Sequence, residues 1–338
     1  MLTQQGIDTD YQVQLIENYQ RRAERLGYSN RNPLFKPVIE FLEPARGKPS
    51  EIAGIKPLDD AMLILCDLYR QKYGIQIWPL IPSQVNARGN EHIAKCLRAS
   101  NGDAFGLIVP SSVTQTTRNY SGHVVPYVVQ QSKNVIQIMN LDSMPNAQQN
   151  FLMTNFIRDE SNAGNDVIEF KVSDDRQTSK NGCKVDSIQI LKDTLRFYKE
   201  GDFDSLHSLL GGTESTRIKD RKQVTPHFAT ATLMLPPFLL KTAQRGAFIR
   251  EQGYENVAGV QPFQEHSLDA LPQSIERHRS KYSAPLSAAT PPKTPTEKTA
   301  NHFLLVKAYH QIGKVLDKLE SFETASDRQH YLRRISIQ

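Results

Sequence analysis

The chain has 338 residues, enough for one large domain or two ordinary ones. Hydrophobic residues make up 38% and charged residues 23% of it, an ordinary composition for a soluble protein with a real core. The net charge of +5 suits a phosphate-rich ligand or an acidic partner, but unless it is clustered it is too small for a dedicated nucleic-acid binder, so we expect no nucleic-acid partner.

The three cysteines, Cys66, Cys96 and Cys183, are odd in number and far apart, which argues against a disulfide framework and favours a reducing compartment. Because no CxxC pair exists, we expect no cysteine zinc site. No apolar run approaches the roughly 18 residues that a membrane span needs. The N-terminal residues lack the pattern of a secretory signal peptide.

Helical spacing and stop signals predict three helices in the first part of the chain, at residues 8–27, 58–74 and 90–99. Cys66 and Cys96 fall within them and are interpreted as buried structural thiols. Near residue 104 the pattern changes to AFGLIVPSS, which predicts a buried strand. A hairpin follows, with strands 123–130 and 135–141 around a turn at Ser132–Asn134.

The second half alternates helices and strands before it becomes polar. FLMTNFIRDE predicts a helix, NDVIEFKVSD a strand, and CKVDSIQILKDTLRFYKE a helix that begins at Cys183. Residues 283–298 are rich in Pro, Ala, Ser and Thr and predict an exposed linker. A last amphipathic helix is predicted over residues 300–322.

Three residues in this pattern have the chemistry of a thiol enzyme. His123 begins a strand, Asp142 ends the next strand, and Cys183 begins a helix. The positive end of the helix dipole favours a thiolate, an imidazole can take the thiol proton, and a carboxylate can orient the imidazole. The hairpin predicts His123 and Asp142 as neighbours. Each residue alone has a structural explanation, and Asn140 and Asp166 are further candidates for the third member.

The order His, Asp, Gln, Cys resembles that of the ubiquitin-like-protein proteases and the YopJ-family acetyltransferases. LDSM at 141–144 looks like the acidic turn of those proteases, and Gln177 stands six residues before Cys183, as in that clan. The intervals from His123 to Asp142 and from there to Cys183 look like those of the YopJ family, and LPPFLLKTAQRGAFI at 235–249 resembles a segment downstream of that family's nucleophile.

The resemblance implies an α+β fold, a mixed-sheet core like that of the cysteine proteases with helical regions before and after it. The corresponding division is a helical region at 1–100, a catalytic core at 101–235, and a helical or regulatory region at 236–338 that contains the 283–298 linker. It also implies that the Gln177 side chain and the backbone N–H of Cys183 form an oxyanion hole.

The YopJ resemblance further implies acetyl transfer from acetyl-CoA through Cys183 to a Ser, Thr or Lys of a host protein such as a kinase or a ubiquitin-like modifier. It implies a bacterial effector that a specialised system secretes into the host cell cytosol, activated by inositol hexakisphosphate (IP6). Clustered basic residues suit so anionic an activator. Two clusters qualify, with Lys241 and Arg245 as possible additions: Arg217, Lys219, Arg221 and Lys222, and then His278, Arg279 and Lys281.

The chain also departs from the family pattern. Gly182 and Lys184 flank the cysteine where an acidic residue and a glycine are usual, Val124 replaces an aromatic residue common after the protease histidine, and Asp142 replaces the glutamate common in the acetyltransferases. The same triad could hydrolyse an isopeptide bond, so a deubiquitinase or ubiquitin-like-protein protease is the alternative. That enzyme often has an aromatic roof near its histidine, whereas Trp78 lies well upstream. A non-catalytic binding module is a third possibility.

Overall fold

The structure, a computed structural model, describes the chain in segments. These are residues 9–37, 55–80, 89–111, 123–143, 150–172, 182–201, 206, 228–233, 239, 283–285, 299–301 and 303–337. The helices are α1 (Thr9–Arg25), α2 (Asp59–Tyr73), α3 (Gly89–Ser100), α4 (Phe151–Asn162), α5 (Cys183–Glu200), α6 (Phe303–Glu320) and α7 (Ala325–Ile337). The strands are β1 (Phe35–Pro37), β2 (Ile55–Pro57), β3 (Ile77–Pro79), β4 (Phe105–Pro110), β5 (Val124–Ser132), β6 (Val135–Asn140), β7 (Asp166–Val172), β8 (Phe228–Leu233), β9 (Ser283–Pro285) and β10 (Thr299–Asn301).

Two compact units divide the chain. The sheet unit comprises residues 66–174 and 187–236, and the terminal unit comprises residues 1–65, 175–186 and 237–338. The first four residues of α5 therefore belong to the terminal unit and the rest of that helix to the sheet unit. The three-part division expected from the sequence remains a prediction.

The sheet unit contains a six-stranded mixed sheet whose strands follow chain order from β3 to β8. Strands β4, β5 and β6 pair antiparallel, whereas β3 pairs parallel with β4, and β6, β7 and β8 are parallel to one another. The β5–β6 hairpin closes at Lys133 and Asn134, with Lys133 in the left-handed region at φ 57°. The predicted hairpin and the predicted α+β fold with a mixed sheet are confirmed.

Helices cover both faces of this sheet. On one face, Leu107, Tyr127 and Ile138 belong to a buried cluster that also includes residues of α3 and α4. Successive strand residues point to opposite faces, so Gly106 faces away from that cluster. On that second face the Leu191 side chain of α5 packs directly over Gly106, and a Cβ added to this glycine would lie 3.3 Å from both Leu191 methyl carbons. The part of α5 that belongs to the sheet unit is thereby packed against the second face.

The terminal unit contains helices from both ends of the chain. The Tyr19 hydroxyl of α1 donates to the Tyr309 carbonyl of α6 at 3.3 Å. Arg22 of α1 forms ion pairs with Asp317 at 2.7 Å and with Glu320 at 2.6 Å. Strands β1 and β2 pair antiparallel, as do β9 and β10.

The helices predicted at 8–27, 58–74, 90–99, 151–160, 183–200 and 300–322 are confirmed within a few residues at their ends. Helix α7 was not predicted. The first three residues of the predicted linker form β9, and residues 286–298 lie outside the described residues. Within the described part of the chain, no helix has the length and apolar character to cross a membrane.

Candidate functional site

His123 and Asp142 lie side by side where the hairpin strands β5 and β6 meet the rest of the chain. His123 immediately precedes β5, and Asp142 follows β6 by two residues. The antiparallel register places Tyr127 opposite Asn140, and the Leu141 N–H donates to the Pro126 carbonyl at 3.0 Å, which carries the pairing to the strand ends. The structure thus brings the two predicted residues together.

The pair makes a short hydrogen bond between side chains. His123 Nε2 lies 2.6 Å from Asp142 Oδ1, and the two side chains are 15% and 16% exposed. A carboxylate acceptor at Nε2 requires the ring to carry its proton there, so Nδ1 is the nitrogen that a general base would use. The pair can therefore fix the tautomer of an imidazole and stabilise its protonated form.

The backbone of His123 is also held in place. The Ser111 N–H and the Ser111 hydroxyl both donate to the His123 carbonyl, each at 2.9 Å. Ser111 immediately follows β4, the neighbour of β5 in the sheet. These two bonds fix the backbone of His123, just before β5, and so fix the point from which the imidazole side chain extends.

Cys183 is the first residue of α5 and is 1% exposed. The Asp186 N–H donates to the Gly182 carbonyl at 2.9 Å, so the helical hydrogen bonds begin directly at the glycine before the thiol. The thiol therefore stands at the positive end of the helix dipole, which favours a thiolate. The predicted placement of Cys183 at a helix start is confirmed, whereas its role as nucleophile remains a prediction.

Two charged side chains accompany the thiol in the first turn of α5. Lys184 is 0% exposed and Asp186 is 1% exposed. Burial raises the pKa of Asp59 in the first turn of α2, and the positive charge of Lys184 opposes that rise. The lysine after the cysteine, a departure from the family pattern, is thus a buried cation whose charge acts on a carboxylate of the same unit.

The remainder of α5 is held in the sheet unit by specific bonds. Gln130 Nε2 of β5 donates to the Tyr198 hydroxyl at 2.6 Å. Lys199 Nζ donates to the Gly74 carbonyl at 3.1 Å, just beyond the end of α2. With the contact of Leu191 on β4, these bonds fix the part of α5 that lies in the sheet unit.

The other two cysteines are buried free thiols, as predicted. Burial raises the pKa of both, that of Cys96 to about 12, and the neighbouring charge of Asp67 raises that of Cys66 further. Neither is suited to act as a nucleophile at neutral pH, because the thiolate is the reactive form.

Asp166 is a wrong candidate for the third member of the triad. It is the first residue of β7 and pairs with Val135, at the start of β6, whereas Asp142 follows the end of β6. Five residues of strand, about 16 Å at 3.3 Å per residue, separate the two ends. Asn140 contacts the backbone of Asp142, its Oδ1 accepting from the Asp142 N–H at 3.1 Å.

The remaining predicted site residues lie outside the described residues. They are Gln177, Arg217, Lys219, Arg221, Lys222, Lys241, Arg245, His278, Arg279 and Lys281. Over the segments that the structure describes, no group of three or more His, Cys, Asp or Glu side chains could hold a metal ion.

Comparison with known proteins shows similarity in structure but not in sequence. No family model matches the chain, and no curated protein matches it. The crystal structure of HopZ1a in complex with IP6 and CoA matches with a TM-score of 0.52 and 14% identity, over 77% of this chain and 83% of that one. The HopZ1a complex with IP6 matches with a TM-score of 0.51 and 12% identity, over 77% and 84%. The chain shares the fold of HopZ1a, a YopJ-family effector.

Proposed function

We propose that this protein is a thiol-dependent acetyltransferase of the YopJ kind, with Cys183 as nucleophile, His123 as general base and Asp142 as the residue that orients it. The observation that carries the proposal is the 2.6 Å bond between His123 Nε2 and Asp142 Oδ1, formed where the hairpin predicted it. The helix start at Cys183 and the fold shared with HopZ1a, whose crystal structure contains IP6 and CoA, support it.

In the proposed reaction, His123 takes the proton of the Cys183 thiol, and Sγ attacks the carbonyl carbon of the acetyl thioester. The C–S bond to CoA breaks, and the imidazolium returns the proton to the CoA sulfur, which leaves an acetyl group on Sγ. A hydroxyl or amine of the host protein then attacks this thioester and gives its proton to His123. The proton passes to Sγ as the acetyl group leaves, which restores the free thiol.

The oxyanion of each step needs donors that are already in place. We assign this role to the Gln177 side chain and the Cys183 N–H, as the family resemblance implies.

Access to the thiol is part of the proposal. Because Cys183 is 1% exposed, the reaction requires a rearrangement that opens Sγ to the thioester. We assign the trigger to IP6, bound by the basic clusters at 217–222 and 278–281. The cellular setting belongs to the same proposal: an effector secreted into the host cytosol, acting on a host protein such as a kinase or a ubiquitin-like modifier.

Intact mass spectrometry after incubation with acetyl-CoA, with and without IP6, tests the function. We expect the wild type to gain at least one acetyl group in the presence of IP6, and Cys183→Ala and His123→Ala to gain none. Cys66→Ala is the matched control, because it removes a buried thiol outside the proposed site and should behave as the wild type.

Three outcomes would overturn the proposal. Acetylation that persists in Cys183→Ala would exclude the thioester route. No acetylation in any condition, together with Cys183-dependent reaction toward a ubiquitin or ubiquitin-like C-terminal electrophile, would identify a protease. Silence in both assays would favour the binding module.

A further inference from the structure

A chain of polar contacts lies behind the His123–Asp142 pair. Asn140, the last residue of β6, accepts a hydrogen bond from the Asp142 N–H through Oδ1 at 3.1 Å. A side chain that bonds to the backbone two residues later closes a small turn and limits the directions the backbone can take. The orientation of Asp142 toward His123 therefore depends on where the Asn140 amide is held.

Glu169 of β7 holds that amide. Asn140 Nδ2 donates to Glu169 Oε1 at 3.3 Å. The parallel register places Asn140 opposite Lys171 and Ile138 opposite Glu169, so the Asn140 and Glu169 side chains share one face of the sheet. The Glu169 side chain is only 9% exposed, and its other oxygen lies 3.4 Å from Lys171 Nζ. The carboxylate is thus itself anchored, by an ion pair on its own strand.

These partners require asparagine at position 140. The Asp142 N–H needs an acceptor and the Glu169 carboxylate needs a donor, and a single amide supplies one of each. Aspartate would offer the acceptor but would place a second negative charge against Glu169, and alanine would leave that buried carboxylate without this donor. Serine carries a donor and an acceptor on one oxygen, and its side chain is shorter than the amide that bridges the two partners. The two contacts also fix which side-chain atom is oxygen and which is nitrogen.

The surroundings keep the arrangement rigid. Leu141 is 0% exposed and Ser143 is 1% exposed, so the residues on each side of Asp142 are buried. Tyr127, opposite Asn140 on β5, is also buried, and burial together with the charges of Glu169 and Asp142 raises its pKa well above the ordinary range. Both carboxylates therefore lie near the same buried phenol, which agrees with one connected polar cluster.

We propose that Asn140 is a positioning residue. Its amide, anchored on Glu169, holds the turn so that the Asp142 carboxylate meets His123 Nε2. The inference rests on the proposed function, in which that pair serves the nucleophile. Asn140 does not replace Asp142 as the third member of the triad, because it acts through the Asp142 backbone.

Two readouts test the proposal in the full-length chain. The first is the ring Nε2–H resonance of His123 in protein labelled with ¹⁵N-histidine, assigned by its loss in His123→Ala. A bond to a carboxylate slows exchange of this proton with water, so the resonance should be present in the wild type and absent in Asp142→Ala. In Asn140→Ala we expect it to broaden or disappear. Asn140→Ser keeps a shorter acceptor for the Asp142 N–H and should retain part of it.

The second readout is the rate of Cys183-dependent acetylation. Asn140→Ala should lower kcat by about ten- to a hundredfold, the range typical of residues that orient a functional side chain, with KM for acetyl-CoA nearly unchanged. Glu169→Gln still offers an oxygen to Asn140 Nδ2 and should stay within about threefold of the wild type. Asn165→Ala is the matched control, because it removes a 2.7 Å bond from an asparagine amide to Glu160 at the other end of β7.

The outcomes separate the two proposals. If the wild type gains no acetyl group but the His123 resonance depends on Asn140 as expected, the proposed function fails and the positioning of the His–Asp pair by Asn140 is supported. The positioning role is overturned if Asn140→Ala and Asn140→Ser both show the His123 Nε2–H resonance and both acetylate as fast as the control Asn165→Ala. A wild-type resonance that does not depend on Asp142 would also overturn it, since no carboxylate would then be held at Nε2.

Discussion

Replacing Gly106 by valine tests how closely α5 must approach the sheet. A Cβ at Gly106 would lie 3.3 Å from both methyl carbons of Leu191 and 3.3 Å from Cγ1 of Ile77. These distances are tighter than ordinary van der Waals contacts, and the neighbours have little room to move because Leu191 is 0% and Ile77 is 5% exposed. The valine methyl groups would push further into the same space.

The expected cost follows from two opposing effects. Added volume in a packed core costs about 1–3 kcal/mol. Glycine within a strand is itself unfavourable by about 0.5–1 kcal/mol, which any substitution recovers. Gly106→Val should therefore lower the free energy of unfolding by about 1–2 kcal/mol. Leu191→Ala alone should cost about 2–5 kcal/mol, because it leaves a cavity.

The double variant gives the decisive comparison. Leu191→Ala opens the space that the Gly106→Val methyl groups need, so together they should cost at least about 1 kcal/mol less than the sum of the two single changes. Urea unfolding measures all three. Gly313→Ala is the control glycine, since its Cβ would lie at an ordinary 3.4 Å from the Tyr19 hydroxyl and helix α6 should gain stability from alanine. Strict additivity at Gly106 and Leu191, or a neutral Gly106→Val, would refute the reasoning.

Three further predictions concern other parts of the molecule. The coupling between Arg22→Gln and Glu320→Gln should be about 1 kcal/mol at pH 7 in a double-mutant cycle. The Arg22 guanidinium lowers the pKa of Glu320 in the folded protein. The ion pair therefore adds to the free energy of unfolding above the ordinary glutamate pKa of about 4.3, and this contribution is lost as the pH falls through the lowered pKa of Glu320. A coupling energy that persists at pH 2 would contradict this prediction. Asn150→Ala should lower the free energy of unfolding in urea by about 2 kcal/mol, because the side chain caps α4 and also donates to the Pro110 carbonyl at the end of β4. Asn150→Asp should keep the cap and lose the bond to Pro110, so its cost should lie between zero and that of the alanine variant. A cost for Asn150→Asp equal to that of Asn150→Ala would show that the aspartate does not restore the cap, and a cost of zero would refute the role of the bond to Pro110. Cys66 and Cys96 should not be alkylated by iodoacetamide in the native protein, with or without IP6, because burial raises the pKa of both thiols. Peptide mass spectrometry measures the alkylation, and modified Cys66 or Cys96 peptides would contradict the prediction.

The hairpin was the most predictable part of the site. Strand alternation and the polar turn at Ser132–Asn134 fix which residues face each other, so His123 and Asp142 had to meet at the open end. A local pattern sufficed because the two strands are contiguous in sequence. The placement of Cys183 at a helix start was equally local, since a glycine and a helical run mark it.

Contacts between strands that are distant in sequence were not predicted. Asp166 is a candidate on the sequence alone, but β7 runs parallel to β6 and so brings its other end toward Asp142. A helix between two neighbouring strands favours parallel pairing, and α4 occupies that interval, so the direction could have been inferred. The Asn140–Glu169 bond depends on the same pairing. The three-residue strands β1, β2, β9 and β10 are too short to show periodicity.

The position of Trp78 bears on the choice between acyl transfer and proteolysis. A protease for a ubiquitin-like modifier needs a narrow channel for a Gly-Gly tail, often roofed by an aromatic ring near its histidine. The only tryptophan of the chain lies in β3, opposite Leu107, and packs edge-on against Phe105 at 5.0 Å between ring centroids. Both rings belong to the buried cluster between the sheet and helices α3 and α4 or pack against it. Trp78 therefore stabilises the core, and a tryptophan roof beside His123 is excluded. The proposed acetyl transfer needs no such roof, so the position of Trp78 in the core does not count against it.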